Sequence, residues 1–258
     1  MINDRLRVAF RAALIHLAIS MVVASVVGVI VFYLWFPSPY RDIAGGLKLF
    51  LIIMGVDIVC GPILTFIVFN PKKSKKEISI DLLVIVFIQA IALGYGIHAI
   101  SVARPVVLAF EVDRFVVVSA AEIDENELKK AKSEFQKLSW SGPVLVGTKL
   151  AENEKEMMLS LKLSLQGNEP SARPGWWRDY DMVRADVMSK MKKIGNIEVS
   201  LNEEQKKHVQ LILNSNGFLG NSIYYLPLVS REILDQWSVL LDERANIRGF
   251  LNVDGFAN

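Results

Sequence analysis

Three long apolar runs fill the first hundred positions, and beyond them hydrophobic and polar residues alternate on a much shorter scale. The first run, Ala12 to Phe36, is about 25 residues long, enough at 1.5 Å per residue to cross a hydrocarbon core of roughly 30 Å. It closes on Trp35-Phe36-Pro37, an aromatic interface anchor followed by a helix breaker. That is too long an apolar stretch for a cleaved signal peptide, so it reads as a retained helix. The second run, Leu47 to Phe69, is interrupted only by Asp57 and the Gly61-Pro62 pair and stops at Asn70-Pro71. The third, Ile78 to Val102, carries Asp81 near its start, then Gln89 and His98. The pattern predicts a three-helix transmembrane bundle over residues 1–103.

Lysine and arginine in short loops set the expected orientation, because positive segments resist translocation. The N-terminal segment holds Arg5, Arg7 and Arg11, and the loop between the second and third runs reads Pro71-Lys72-Lys73-Ser74-Lys75-Lys76-Glu77. The loop Pro37 to Gly46 has one Arg41 beside Asp42. The N-terminus and the lysine-rich loop are therefore expected in the cytoplasm and everything after Val102 on the opposite face, which for an inner-membrane protein of a Gram-negative bacterium is the periplasm.

Residues 104–258 lack such runs and predict a C-terminal α+β soluble domain with a mainly antiparallel sheet. Pro105 to Ala120, broken by Glu111-Val112-Asp113-Arg114, reads as two strands around a turn or one bulged strand. Glu125 to Leu138 spaces Leu128, Ala131, Phe135 and Leu138 as one amphipathic helix. Further helices are predicted at Glu152–Gln166, Tyr180–Lys193 and Asn202–Asn214. Strands are predicted at Gly142–Leu150, Ile223–Val229, Trp237–Leu241 and Ile247–Val253. Gly167 to Trp177, with Pro170, Pro174 and Gly175, is expected to be the most flexible loop. Strand order does not follow from the pattern.

A net charge of +2 without a dense basic patch argues against a nucleic-acid partner. Cys60 is the single cysteine, so no intramolecular disulfide can form. His16, His98 and His208 are scattered, without zinc-ligand spacing, and no phosphate-binding or nucleophile-elbow motif occurs. The expected protein is not an enzyme and has no cofactor or metal.

Two features invite a contact role. Asp57 lies mid-span, five residues before Pro62, and an ionisable group there must be answered. Gln89 and His98 on the third run, or the carbonyl that Pro62 deprives of its donor, are the candidates. Such a group is either a polar clamp within the bundle or a partner contact. In the soluble part, Trp176, Trp177 and Arg178 form either a segment tucked onto the core or an aromatic contact surface.

Several segments resemble the TfpX/TfpZ family of type IV pilin accessory proteins. They are Phe36-Pro37-Ser38-Pro39-Tyr40, Gly45-Gly46, Asp57-Ile58-Val59-Cys60-Gly61-Pro62-Ile63-Leu64-Thr65, Asp81, and Gln89 with Ala92-Leu93-Gly94-Tyr95-Gly96. Ala103-Arg104-Pro105, Asp113-Arg114-Phe115, Trp237-Ser238-Val239-Leu240 and Gly249-Phe250 follow in the same order. Phe36 stands where that family usually has Tyr. The resemblance implies an inner-membrane accessory factor that assists or modulates assembly of a cognate major pilin, with no known catalytic activity. The alternative from the residues alone is a membrane-anchored periplasmic ligand-binding or sensor protein, which would need an apolar pocket with convergent polar groups.

Overall fold

The computed structural model describes residues 2–198, 201–215 and 223–256. Helix α1 (Ile2–Ile30) continues into a π-helical turn at Val31–Trp35, a one-turn helix α2 (Tyr40–Ile43) follows, and α3 (Gly46–Val68) and α4 (Lys75–Ala103) complete the N-terminal part. The helices α1, α3 and α4 are long and apolar enough to cross a membrane, and most of their large side chains face outward. Such a surface suits lipid and not water. Ser74 starts α4 with a capping box: it accepts from the Glu77 amide, and the Glu77 carboxylate accepts from the Ser74 amide.

Among the described residues the remainder is built on eight strands: β1 (Pro105–Glu111), β2 (Arg114–Ser119), β3 (Val144–Thr148), β4 (Trp177–Asp179), β5 (Lys192–Lys193), β6 (Tyr224–Ser230), β7 (Trp237–Leu241) and β8 (Ile247–Leu251). They form one sheet in the order β4-β3-β1-β2-β6-β7-β8, with β5 added to β6. Five pairings are antiparallel and two, β1 with β3 and β2 with β6, are parallel. The sheet is therefore mixed, though mostly antiparallel as expected. Strand β1 is buried on both faces, which its unbroken Val-Val-Leu-Ala-Phe run requires.

Helices α5 (Glu125–Lys130), α6 (Glu154–Ser164), α7 (Tyr180–Lys190), α8 (Gly195–Glu198) and α9 (Glu203–Ser215) surround the sheet. One face packs Leu108, Phe110, Leu226 and Val239 with Tyr180, Val183 and Val187 of α7. The other face divides into a cluster around Trp177 and a second around Tyr225, Leu240 and Val209.

The segment between the first two spans does more than connect them. Ile43, at the end of α2, is completely buried within the α7 side of the sheet's core. Its carbonyl accepts from Ser230 Oγ at 2.6 Å, and Tyr40 meets Phe250 edge-on with ring centres 5.5 Å apart. Gly45 makes the exit in a left-handed conformation (φ 68°) that a side chain would strain. The Gly142 amide donates to Leu34 O at 2.9 Å, and the Arg104 guanidinium lies 4.0 Å over the Trp140 ring. The sheet is thus tied to the spans at the α4–β1 junction, at this strap and at the β3 entrance.

Two sequence expectations fail for the same physical reason. The helix expected over Glu125–Leu138 stops at Lys130 and resumes as a 3-10 turn at Ser133–Phe135. The break lets Phe135 pack edge-on against Trp177, 5.9 Å between centres, while Gln136 Nε2 donates to the carbonyls of Lys129 and Ala131. Tertiary packing outweighs local helical periodicity here. The loop expected to be most flexible is instead a pair of 3-10 turns with Ser171, Ala172, Arg173 and Pro174 buried. Arg173 holds it, donating to Asn168 O, Ser160 Oγ, Ser160 O and Ser164 Oγ.

Asp242 organises the β7–β8 turn, accepting from the amides of Arg244 and Asn246, from Asn246 Nδ2 and from Arg248. Burial opposes its charge, but the bonds from Asn246, Arg248 and Arg244 outweigh that and hold the carboxyl below its usual range. A lowered native value means that its stabilisation is complete above about pH 4 and is lost as pH falls through that lowered value. Asp242→Asn should therefore lower stability at neutral pH and make its decline below about pH 4 shallower, as measured by urea titrations across that range.

Candidate functional site

The polar residues inside the spans converge on one point. Gly61 and Thr65 lie four residues apart and so share a face of α3, and both are buried. His16 of α1 approaches from one side, with Nδ1 2.6 Å from Thr65 Oγ1. Gln89 of α4 approaches from the other, donating through Nε2 to Asp57 Oδ1 at 3.0 Å and to Asp57 O at 3.2 Å. A Cβ at residue 61 would lie 2.3 Å from Gln89 Nε2 and 2.8 Å from His16 Nε2, so only glycine admits both. One side chain from each outer span is thereby bonded to the middle one.

Of the residues singled out in the sequence, the structure brings Asp57 and Gln89 together and leaves His98 apart, exposed on α4 with its carbonyl accepting from Ser101 Oγ. Pro62 deprives the Ile58 carbonyl of its helical donor, yet Gln89 reaches the Asp57 carbonyl one residue earlier. The His16–Thr65 pair was not foreseen. Its trace in the sequence is a lone histidine in an apolar run and the four-residue rhythm Asp57, Gly61, Thr65 on the neighbouring helix.

Other motif positions serve the frame. Pro37, Pro39 and Tyr40 build the strap, and Arg104 and Pro105 carry α4 into β1. Asp81 pairs with Lys73 at 2.6 Å at the start of α4. Gly96 allows Ile53 to close on α4, where a Cβ would lie 2.4 Å from Ile53 Cγ2, whereas Tyr95 points outward, 74% exposed.

In the soluble part, Trp177 is only 2% exposed, and its Nε1 donates to Ser171 O at 2.7 Å. It belongs to the core, the first of the two readings that the sequence left open. Arg178 is pinned by the Trp177 and Gly175 carbonyls, and Trp176 is half-buried with Lys149 and Arg173 each about 5 Å from its ring. An open apolar surface lies nearby on α6 and its C-cap Leu165. Arg173 holds the Ser160–Ser164 side of that helix, while Met157, Met158, Leu161 and Leu165 point outward, all more than half exposed. The spacing 157, 161, 165 marks the stripe in the sequence.

Among the described residues, no group of three or more His, Cys, Asp or Glu is placed to hold a metal. Glu111 is partly buried, which lifts its carboxyl above the usual range, and it accepts from the Ser171 amide as a tie between β1 and the Arg173 corner. His208 is exposed, with Nε2 3.2 Å from Phe250 O, beside an open groove of about 490 Å³ lined by Lys207, Trp237 and Phe250.

Comparison with known proteins covers both halves of this arrangement. The family model of fimbrial assembly protein FimB matches residues 4–45, which hold the first span and most of the strap. Two curated proteins of Dichelobacter nodosus, the fimbrial assembly proteins of serogroup I and serogroup E1, are each 34% identical over 254 residues, 98% of both chains. The chain belongs to the fimbrial assembly protein family. A third relative, the fimbrial assembly protein of serogroups C1 and C2 of the same organism, is 42% identical over 129 residues, which is 50% of this chain and 98% of that one. No solved structure matches.

If the Gln89–Asp57 contact joins α3 to α4, a double-mutant cycle of Gln89→Leu and Asp57→Leu should give a coupling energy of about 0.6–1.7 kcal/mol. Unfolding of the purified protein in mixed detergent micelles measures it, and His98→Leu in place of Gln89→Leu should give none.

Proposed function

We propose that the chain is an inner-membrane accessory factor in type IV fimbrial assembly, of the TfpX/TfpZ kind, acting by non-covalent contact with a cognate major pilin. The observation that carries this reading is the collinear similarity to proteins named for fimbrial assembly over 98% of both chains, spans and sheet together. A pilin waiting in the membrane presents a lipid-embedded helix and an aqueous head. In this reading residues 1–103 meet the first and residues 104–258 the second, with the Met157–Leu165 stripe of α6 and the neighbouring Trp176 on the surface offered to the head.

The strap supports the orientation. The α1–α3 connection and the sheet lie at one end of the spans, while Arg5, Arg7, Arg11 and the Lys72–Lys76 loop lie at the other. With positive segments retained inside, the N-terminus is cytoplasmic and the sheet periplasmic.

Deleting the gene should reduce the number of surface pili counted by electron microscopy, with recovery on complementation by the intact gene. Unchanged pilus number and unchanged pilin level in the deletion strain would contradict the proposal.

A further inference from the structure

The helices α1 and α4 each lie along α3 but scarcely meet one another, so the three spans form a trough with α3 as its floor. Toward the end that carries Arg11, the trough widens into a cleft of about 450 Å³ that opens sideways. Val8, Ala12 and Ile15 of α1 form one wall, Leu82 and Val86 of α4 the other, and Thr65 part of the floor. Three polar groups break its apolar lining: Arg11, His16 and the Thr65 hydroxyl. Arg11 stands at the mouth, and His16 lies five residues further in, about 7.5 Å deeper along the helix.

No acidic side chain among the described residues pairs with Arg11, and Asp81, at the same end, is engaged by Lys73. A guanidinium is always charged, and at the edge of an apolar cleft it favours an anion. His16 bonds to the Thr65 hydroxyl through Nδ1 and turns Nε2 toward Gly61, a second polar group within the apolar lining. The cleft therefore offers a cation and a polar ring at two depths along one apolar wall.

We propose that this cleft receives an apolar membrane-spanning helix of a partner protein, bearing an acidic side chain in the third of the span nearest Arg11. A floor with two walls fits a rod, and Ala12 lets a second backbone come close. A lipid phosphate engaged by Arg11 stays at headgroup level and leaves the deeper histidine facing hydrocarbon, whereas a carboxyl on a helix sits between the two depths. An acid in the bilayer is costly without a cation such as Arg11, so the site discriminates between partner helices by the position of that one charge. The identification of the partner with the pilin rests on the function proposed above.

The test is in-cell photocrosslinking in the full-length protein, with probes at Ile15 and Val86 inside the cleft, Ile91 on the outward face of α4 and Leu161 on α6, against co-expressed pilin. Capture of pilin from Ile15 and Val86 is expected at tenfold or more the yield from Ile91. Arg11→Gln should cut that yield about tenfold at unchanged protein level, Arg11→Lys should retain most of it, and replacing by leucine every acidic residue in the third of the pilin span nearest Arg11 should reproduce the Gln effect. Equal capture from Ile91, capture of lipid alone at Ile15 and Val86, or indifference to Arg11→Gln overturns the cleft. If Leu161 still captures pilin in those cases, the fimbrial reading survives without the cleft; capture of pilin from none of the four positions overturns both.

Discussion

Ile43 leaves the connection between two membrane helices and is buried among Leu108, Phe115, Leu226 and Val239, at the centre of a sheet whose strands come from the other end of the chain. The rest of the architecture depends on that side chain's position. A sheet joined to α4 by the Arg104-Pro105 junction alone would pivot about one bond path. With Ile43 seated, the Ser230 hydroxyl on its carbonyl and Gly142 on Leu34, the sheet is held at three separated places. Removing a buried isoleucine side chain costs about 2–5 kcal/mol, a large share of the stability of a domain of this size.

Within the bilayer the hydrophobic effect cannot join the spans, because lipid is as apolar as they are; close packing and hydrogen bonds must. The Gly61 surface supplies both. The missing side chain brings α1 and α4 within reach of α3, and the His16–Thr65 and Gln89–Asp57 contacts then tie each outer helix to the middle one. Both contacts are made to α3, and among the described residues α1 and α4 scarcely meet one another, which leaves the trough between them.

Much of the frame was legible because it follows from local chemistry. Uniform apolar runs of spanning length admit few solutions, and the Val-rich segment around Asp113 read as two strands or one bulged strand, of which the structure takes the first. The failures were tertiary. Phe135 and Leu138 keep helical spacing, yet their target is the Trp177 cluster, and reaching it breaks the helix. Arg173 was an ordinary loop arginine in the sequence; only the fold places four acceptors around it. Ile43 sits in a ten-residue connection whose charges could be read but whose destination could not, since nothing local says that an isoleucine there belongs to a core formed sixty and more residues later. For the intramembrane site, Asp57 and Gln89 were visible as polar residues needing partners, whereas His16 required knowing which helix faces cross.

The central claim, that the strap makes spans and sheet one rigid body, is tested most directly by a distance measurement across the joint. Spin labels at Tyr95→Cys on α4 and Lys155→Cys on α6, in a Cys60→Ser background, would be read by pulsed electron paramagnetic resonance in a lipid bilayer. A single narrow distance distribution that broadens when Ile43→Gly is added is the predicted result. A distribution already broad with Ile43 in place would contradict the account, because it would mean that the sheet pivots about the Arg104-Pro105 junction despite the strap.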